Sequence, residues 1–222
     1  MSARTLRAAL LAGLAALLVA GCAALQPREI PDDRDAAWEA LQADLEALDA
    51  WHARGRLSVR MDHDGGSAGF DWREQADGRY ALRLAGPFGE GVARLDGRAG
   101  HVRLDEGDGR VLQGSDARLL LLERYGWDVP VDGLRHWLIG LPGSDVEPDA
   151  YELDDFGRLQ RLQWEEWEIR YRRYIQVDGL DLPADLIVEH GLDDTRIRIA
   201  VDEWQPASAE VDDGTGVPLI GE

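Results

Sequence analysis

Apolar residues follow three rhythms along this chain. From Ala8 to Ala20 they form an unbroken run of small and aliphatic side chains. From Asp35 onward they recur at intervals of three and four. Beyond Gly55 they mostly alternate with polar ones. Trp38, Leu41, Leu45 and Leu48 therefore share one face of a helix, with Glu39, Asp44 and Glu46 toward water and Asp35 as candidate N-cap. The spacing ends this helix between Trp51 and Gly55.

The rhythm of two then carries most of the chain. Leu57, Val59 and Met61 alternate with Arg56, Ser58 and Arg60. Ala68, Phe70 and Trp72 alternate with Gly69, Asp71 and Arg73, and Tyr80, Leu82 and Leu84 with Arg79, Ala81 and Arg83. Glycine and aspartate clusters separate the runs, the signature of antiparallel strands with one buried and one wet face. Weaker strands are expected at Val92 to Leu95, Val102 to Leu104 and Arg110 to Leu112. Two helices interrupt them. One runs from Asp116 to Tyr125, capped by Ser115 and stopped by Gly126. The other opens at Pro130, places Val131, Leu134, Leu138 and Leu141 on one face, and ends within Gly140 to Gly143. Strands resume at Leu159 to Trp164, Trp167 to Tyr171 and Leu186 to Val188, and around Ile197, Ile199 and Val201. Roughly ten short strands with a helical insert predict a mainly β, α+β fold: one strongly curved antiparallel sheet or open barrel, its mouth covered by the helices.

Charge narrows the partners. The chain holds 24 Lys+Arg, all of them arginine, against 43 Asp+Glu, for a net charge of −19. Phosphate-rich surfaces repel such a protein, which argues against nucleic-acid binding and against electrostatic adhesion to anionic lipid.

Arg4 and Arg7 before the apolar run of Ala8 to Ala20 make an export signal. That run is too short to cross a hydrocarbon core of about 30 Å, which needs about 20 apolar residues. It closes on Val19-Ala20-Gly21-Cys22, which resembles a bacterial lipobox, and Cys22 is the sole cysteine. This reading divides the chain into a signal peptide (1–21), a lipidated N-terminus and tether (22–34), a folded domain (35–205) and an acidic tail (206–222) expected to lack packed structure.

No catalytic constellation stands out. His52, His63, His101, His136 and His190 lack metal-ligand spacing, and no metal or cofactor is expected. There is no G-x-S-x-G elbow and no phosphate-binding loop. Asp62, Asp64 and Asp71 read as turn residues, and Asp154-Asp155 and Glu165-Glu166 as surface acids. The unusual segment is Gly86-Pro87-Phe88-Gly89-Glu90-Gly91, a connection between strands with an aromatic residue at its tip. Phe88 either folds back into the core or projects from the surface, and the residues alone leave both open.

Several stretches in order along the chain resemble the LolB family of outer-membrane lipoprotein receptors. They are the lipobox at Cys22, Gly55-Arg56-Leu57 after a Trp-bearing helix, and Gly86-Pro87-Phe88-Gly89. Trp137-Leu138-Ile139-Gly140-Leu141-Pro142-Gly143 follows, then Leu153-Asp154-Asp155 with Gly157-Arg158-Leu159, and a last strand closing on Trp204. The resemblance implies an open half-barrel around an apolar cavity with a helical lid. It implies a non-enzymatic role, in which the protein accepts lipoproteins from the periplasmic carrier LolA through their acyl chains and releases them into the inner leaflet of the outer membrane. It makes Cys22 the lipid attachment site, and Pro87, Phe88 and Gly89 a membrane-inserting loop with Phe88 where the family carries leucine. Ala23 fits outer-membrane sorting. Applied to the alternating strands and the second helix, it gives Leu57, Val59, Phe70, Trp72, Leu82, Leu84, Trp137, Leu138, Ile169 and Ile199 as candidate cavity lining. The alternative function is a lipid-sensing or scaffold lipoprotein with the same cavity.

Overall fold

The computed structural model describes residues 29–61, 64–86, 93–143, 150–192 and 194–207. Contacts divide the chain into two units, Met1–Asp32 and Asp33–Glu222. Of the first, residues 29–32 are described, without helix or strand. In the second, the described residues form three helices, α1 (Arg34–Glu46), α2 (Ala117–Tyr125) and α3 (Val131–Ile139). They also form eleven strands in one antiparallel sheet.

Six strands come before α2: β1 (Ala50–Met61), β2 (Asp64–Glu74), β3 (Tyr80–Ala85), β4 (Ala93–Arg98), β5 (His101–Asp105) and β6 (Val111–Gly114). Five follow α3: β7 (Tyr151–Leu153), β8 (Leu159–Trp164), β9 (Trp167–Val177), β10 (Leu180–His190) and β11 (Arg196–Ala207). The first set steps outward from β1 to the edge strand β6, each strand pairing with its predecessor. After α2 and α3 the chain restarts at the opposite edge, β7, and steps back until β11 pairs with β1. The edges β6 and β7 do not pair, so the sheet is open.

Helix starts differ by a residue or two from the sequence expectation, and α1 ends at Glu46, at least five residues before the stretch expected to close it. The N-cap of α1 is Asp33, whose Oδ1 accepts from the N–H groups of Asp35 and Ala36 at 3.1 and 3.0 Å. Asp116, not Ser115, caps α2 by accepting from the Leu119 N–H at 3.0 Å. Gly126 and Gly140 end α2 and α3 in the left-handed conformation that glycine adopts without strain. The stretch expected to end the first helix is already strand. From Ala50 the chain alternates, with Trp51 and Ala53 buried and Arg54 exposed. The three-residue edge strand β7 was not expected; β9 and β10 run well beyond their apolar cores.

Gly55 is dictated by packing. The β1–β11 register shifts between Arg54 and Gly55. A Cβ at Gly55 would stand 2.1 Å from the Ala200 carbonyl oxygen and 2.9 Å from the Phe70 ring. On the β7–β10 half, α1 closes over the sheet face. Its Trp38 donates from Nε1 to the Tyr151 hydroxyl at 3.2 Å, and α1 and α3 both pack on β10.

Candidate functional site

The register of the β1–β5 half stacks apolar side chains in rows. Ile199, Leu57 and Ala68 stand opposite one another across β11, β1 and β2. Phe70 opposes Leu84, and Trp72, Leu82, Leu95 and Leu104 form a row across β2 to β5. Directly opposed Cβ atoms lie about 4.5–5.5 Å apart, so each row is a continuous apolar strip. Over these strips α2 and α3 leave a gap. Leu121 and Tyr125 of α2, and Leu134 and Leu138 of α3, face the sheet across a cavity of about 440 Å³. That is within the roughly 300–1,000 Å³ usual for small-ligand sites.

Of the sequence candidates, Leu57, Val59, Phe70, Trp72, Leu82, Leu84, Leu138 and Ile199 belong to this lining. Trp137 and Ile169 lie outside it. Successive helical residues point about 100° apart, so Leu138 reaches the cavity while Trp137 turns away. The Trp137 ring packs edge-on against Trp164 at 5.6 Å, and its carbonyl accepts from the Tyr171 hydroxyl at 3.0 Å. Ile169 sits between Leu162 and Val188 in the solidly packed β8–β10 region. Cys22, Pro87, Phe88 and Gly89 lie outside the described residues. The strands joined by the Pro87–Gly89 segment, β3 and β4, contribute Leu84 and Ala93 to the lining.

The sequence reading expected the helical lid but did not name Leu121, Tyr125, Trp127 and Val129 as part of the lining. Their one signal is Leu119–Leu122, four successive leucines that make α2 apolar on every side. Leu120 is buried, Leu121 faces the cavity, and Leu119 and Leu122 are exposed.

Polar contacts hold the roof from its margins. The Tyr125 hydroxyl donates to Glu106 in the β5–β6 turn, and Arg124 pairs with the same carboxylate at 3.0 Å. Burial, reinforced by that hydrogen bond, pushes the Tyr125 phenol up to about 12, so it stays neutral. From α3, Arg135 reaches Glu74 on β2. Among the described residues, no three His, Cys, Asp or Glu side chains cluster to hold a metal ion. The site is thus suited to enclosing apolar chains.

Residues 49–204 match the family described as Outer membrane lipoprotein LolB. The Outer-membrane lipoprotein LolB of Halorhodospira halophila is 36% identical over 196 residues, covering 88% of this chain and 94% of the relative. That of Pseudomonas aeruginosa strain LESB58 is 39% identical over 199 residues, covering 88% and 95%. A solved DUF1329 family protein from Desulfovibrio piger shares the fold, with a TM-score of 0.51 at 11% identity over 81% of this chain and 96% of its own. The sequence match runs along nearly the whole folded unit and takes in both the strand rows and the roof of the cavity: the chain belongs to the LolB family of outer-membrane lipoproteins.

Proposed function

We propose that the cavity beneath α2 and α3 holds the acyl chains of client lipoproteins between their arrival from the periplasmic carrier LolA and their release into the outer membrane. As a LolB-family protein the chain is an outer-membrane lipoprotein receptor rather than an enzyme. The observation that carries the acyl-chain reading is the cavity's chemistry. Rows of Leu, Ile, Phe and Trp face further leucines, and the hydroxyl of Tyr125 is turned to Glu106. Each methylene exposed to water costs roughly 0.8 kcal/mol, so a lipidated client crosses an aqueous space only when shielded. Shielding requires apolar area and no reaction. Transfer runs forward when the receptor binds the chains better than the carrier does and the bilayer binds them better still.

Two further assignments rest on the sequence. Cys22, the sole thiol and the last residue of a lipobox-like segment, takes the diacylglyceryl and N-acyl groups that tether the chain. Phe88, between Pro87 and Gly89, enters lipid at the moment of release. Mass spectrometry of the membrane fraction should show a mature chain that starts at Cys22 and carries acyl mass; an unmodified soluble chain would refute the tether.

The deciding experiment loads the purified protein with a lipoprotein delivered by LolA and adds liposomes. Movement of the lipoprotein into the liposomes is expected. Retention on the protein with the acyl chains still bound would make it a lipid sensor or scaffold instead.

A further inference from the structure

A second depression of about 490 Å³ opens on the protein away from the acyl cavity. Its apolar floor is Leu45 and Leu48 at the end of α1, Trp51 at the start of β1, and Ile139, Leu141 and Pro142 at the end of α3. Trp51 packs against Trp72, a lining residue of the cavity, with ring centroids 5.8 Å apart. The groove and the cavity therefore lie on either side of this aromatic pair.

The C-terminal strand delivers the chain to this groove. Ala207, the last residue of β11, pairs with Ala50 of β1. The residues flanking Ala50, Asp49 and Trp51, both line the groove. Fifteen residues follow Ala207; apart from the isolated Val211 and the run Val217-Pro218-Leu219-Ile220 they are acidic or small. A purely solvating tail has no use for four successive nonpolar residues. The acids Glu210, Asp212 and Asp213 precede the neutral stretch Gly214-Thr215-Gly216. The apolar tetrapeptide is thus presented without a neighbouring charge on its N-terminal side.

We propose that this groove is the docking site of the chain's own segment Val217-Pro218-Leu219-Ile220. Nine residues separate Ala207 from Val217, enough to reach about 30 Å when extended, far more than the exit point requires. A short linker also presents the segment at an effective concentration of order millimolar, so even weak apolar docking fills the site. The groove uses Arg135 and Ile139 of α3, whereas Leu134 and Leu138 of the same helix line the cavity. A seated tail therefore braces, from behind, the helix that roofs the cavity. The proposal rests on the groove and the tail and is independent of what the cavity binds.

The test uses the full-length chain in cells with the photoreactive residue p-benzoylphenylalanine in place of Leu219. After irradiation, mass spectrometry should find intrachain crosslinks concentrated in residues 42–51 and 135–143. Adding Ile220→Asp should reduce their yield about tenfold, the worth of one buried aliphatic side chain. Crosslinks to the cavity strands β3 and β4, to a second copy or to another protein would overturn the proposal. So would an unchanged yield with Ile220→Asp, or the absence of crosslinks.

Discussion

Arg135 of α3 donates from Nε to Glu74 Oε2 on β2 at 3.0 Å, and its guanidinium lies 4.8 Å over the Tyr80 ring. One cation thus fastens a roof helix to two strands of the cavity half. The Glu74 side chain is only 10% exposed and that of Arg135 22%. Burial pushes the Glu74 carboxyl above its ordinary value of 4.5, and Arg135 pulls it part of the way back.

Arg135→Met removes that pull and leaves a buried carboxylate unpaired, so the Glu74 pKa should rise further. A carboxyl raised in the folded state contributes stability below its unfolded pKa and loses it as pH climbs through the folded value. The variant should therefore lie close to the parent near pH 4 and fall behind toward neutral pH. We expect about 2–3 kcal/mol at pH 7.5, below the roughly 3–5 kcal/mol for breaking a fully buried pair, because Arg135 keeps some water contact. Denaturant titrations at the two pH values check this, and an equal deficit at both would contradict it.

Cavity and core are separable by mutation on one sheet. Ala68 lines the cavity beside Leu57, so a tryptophan there grows into open space. Ala68→Trp should weaken binding of a fluorescent fatty acid at least tenfold while changing stability by less than about 1.5 kcal/mol. Ile169 is fully buried and outside the lining. Ile169→Ala should cost about 2–5 kcal/mol and leave fatty-acid affinity unchanged. Parallel binding and unfolding curves test the contrast; a loss of affinity confined to Ile169→Ala would reverse our assignment of the cavity.

Gly55→Ala places a methyl against the Ala200 carbonyl, a backbone group that cannot rotate aside. Overpacking costs typically 1–3 kcal/mol, and the rigid neighbour puts this case near the upper end. For a domain of this size the melting temperature should fall by roughly 6–12 °C. A thermal melt within 2–3 °C of the parent would show that the β1–β11 bulge accommodates the methyl.

The sheet was legible because its strands expose one face, which leaves a period of two in Leu57–Met61, Ala68–Trp72 and Tyr80–Leu84. Their assembly into rows was less so, since a cavity depends on register: Leu82 and Leu95 are 13 positions apart yet face each other. The helical lid was legible, but which of its residues face the cavity was not: Leu119–Leu122 point about 100° apart in turn and leave no helical stripe, although only Leu120 and Leu121 turn inward. Trp137 and Leu138 are adjacent in a segment apolar throughout, and composition could not tell which one faces the cavity. Edge strand β7 spans three residues, too short for alternation to register.

Phe88 offers the sharpest test of release. An inserted phenylalanine contributes roughly 1.5–3 kcal/mol, enough to favour membrane encounter and too little to anchor a protein alone. In Phe88→Glu a carboxylate replaces the ring and resists entry into hydrocarbon. If Phe88 serves insertion alone, loading from LolA should proceed as in the parent. Transfer of the loaded lipoprotein to liposomes should fail, because the proposed role of Phe88 belongs to the last step. If Phe88 were instead a core residue, the introduced charge would sharply lower the melting temperature and impair loading as well. A thermal melt beside the loading and transfer assays separates the two. A stable variant that loads normally and releases poorly supports insertion, whereas a destabilised one ends that assignment.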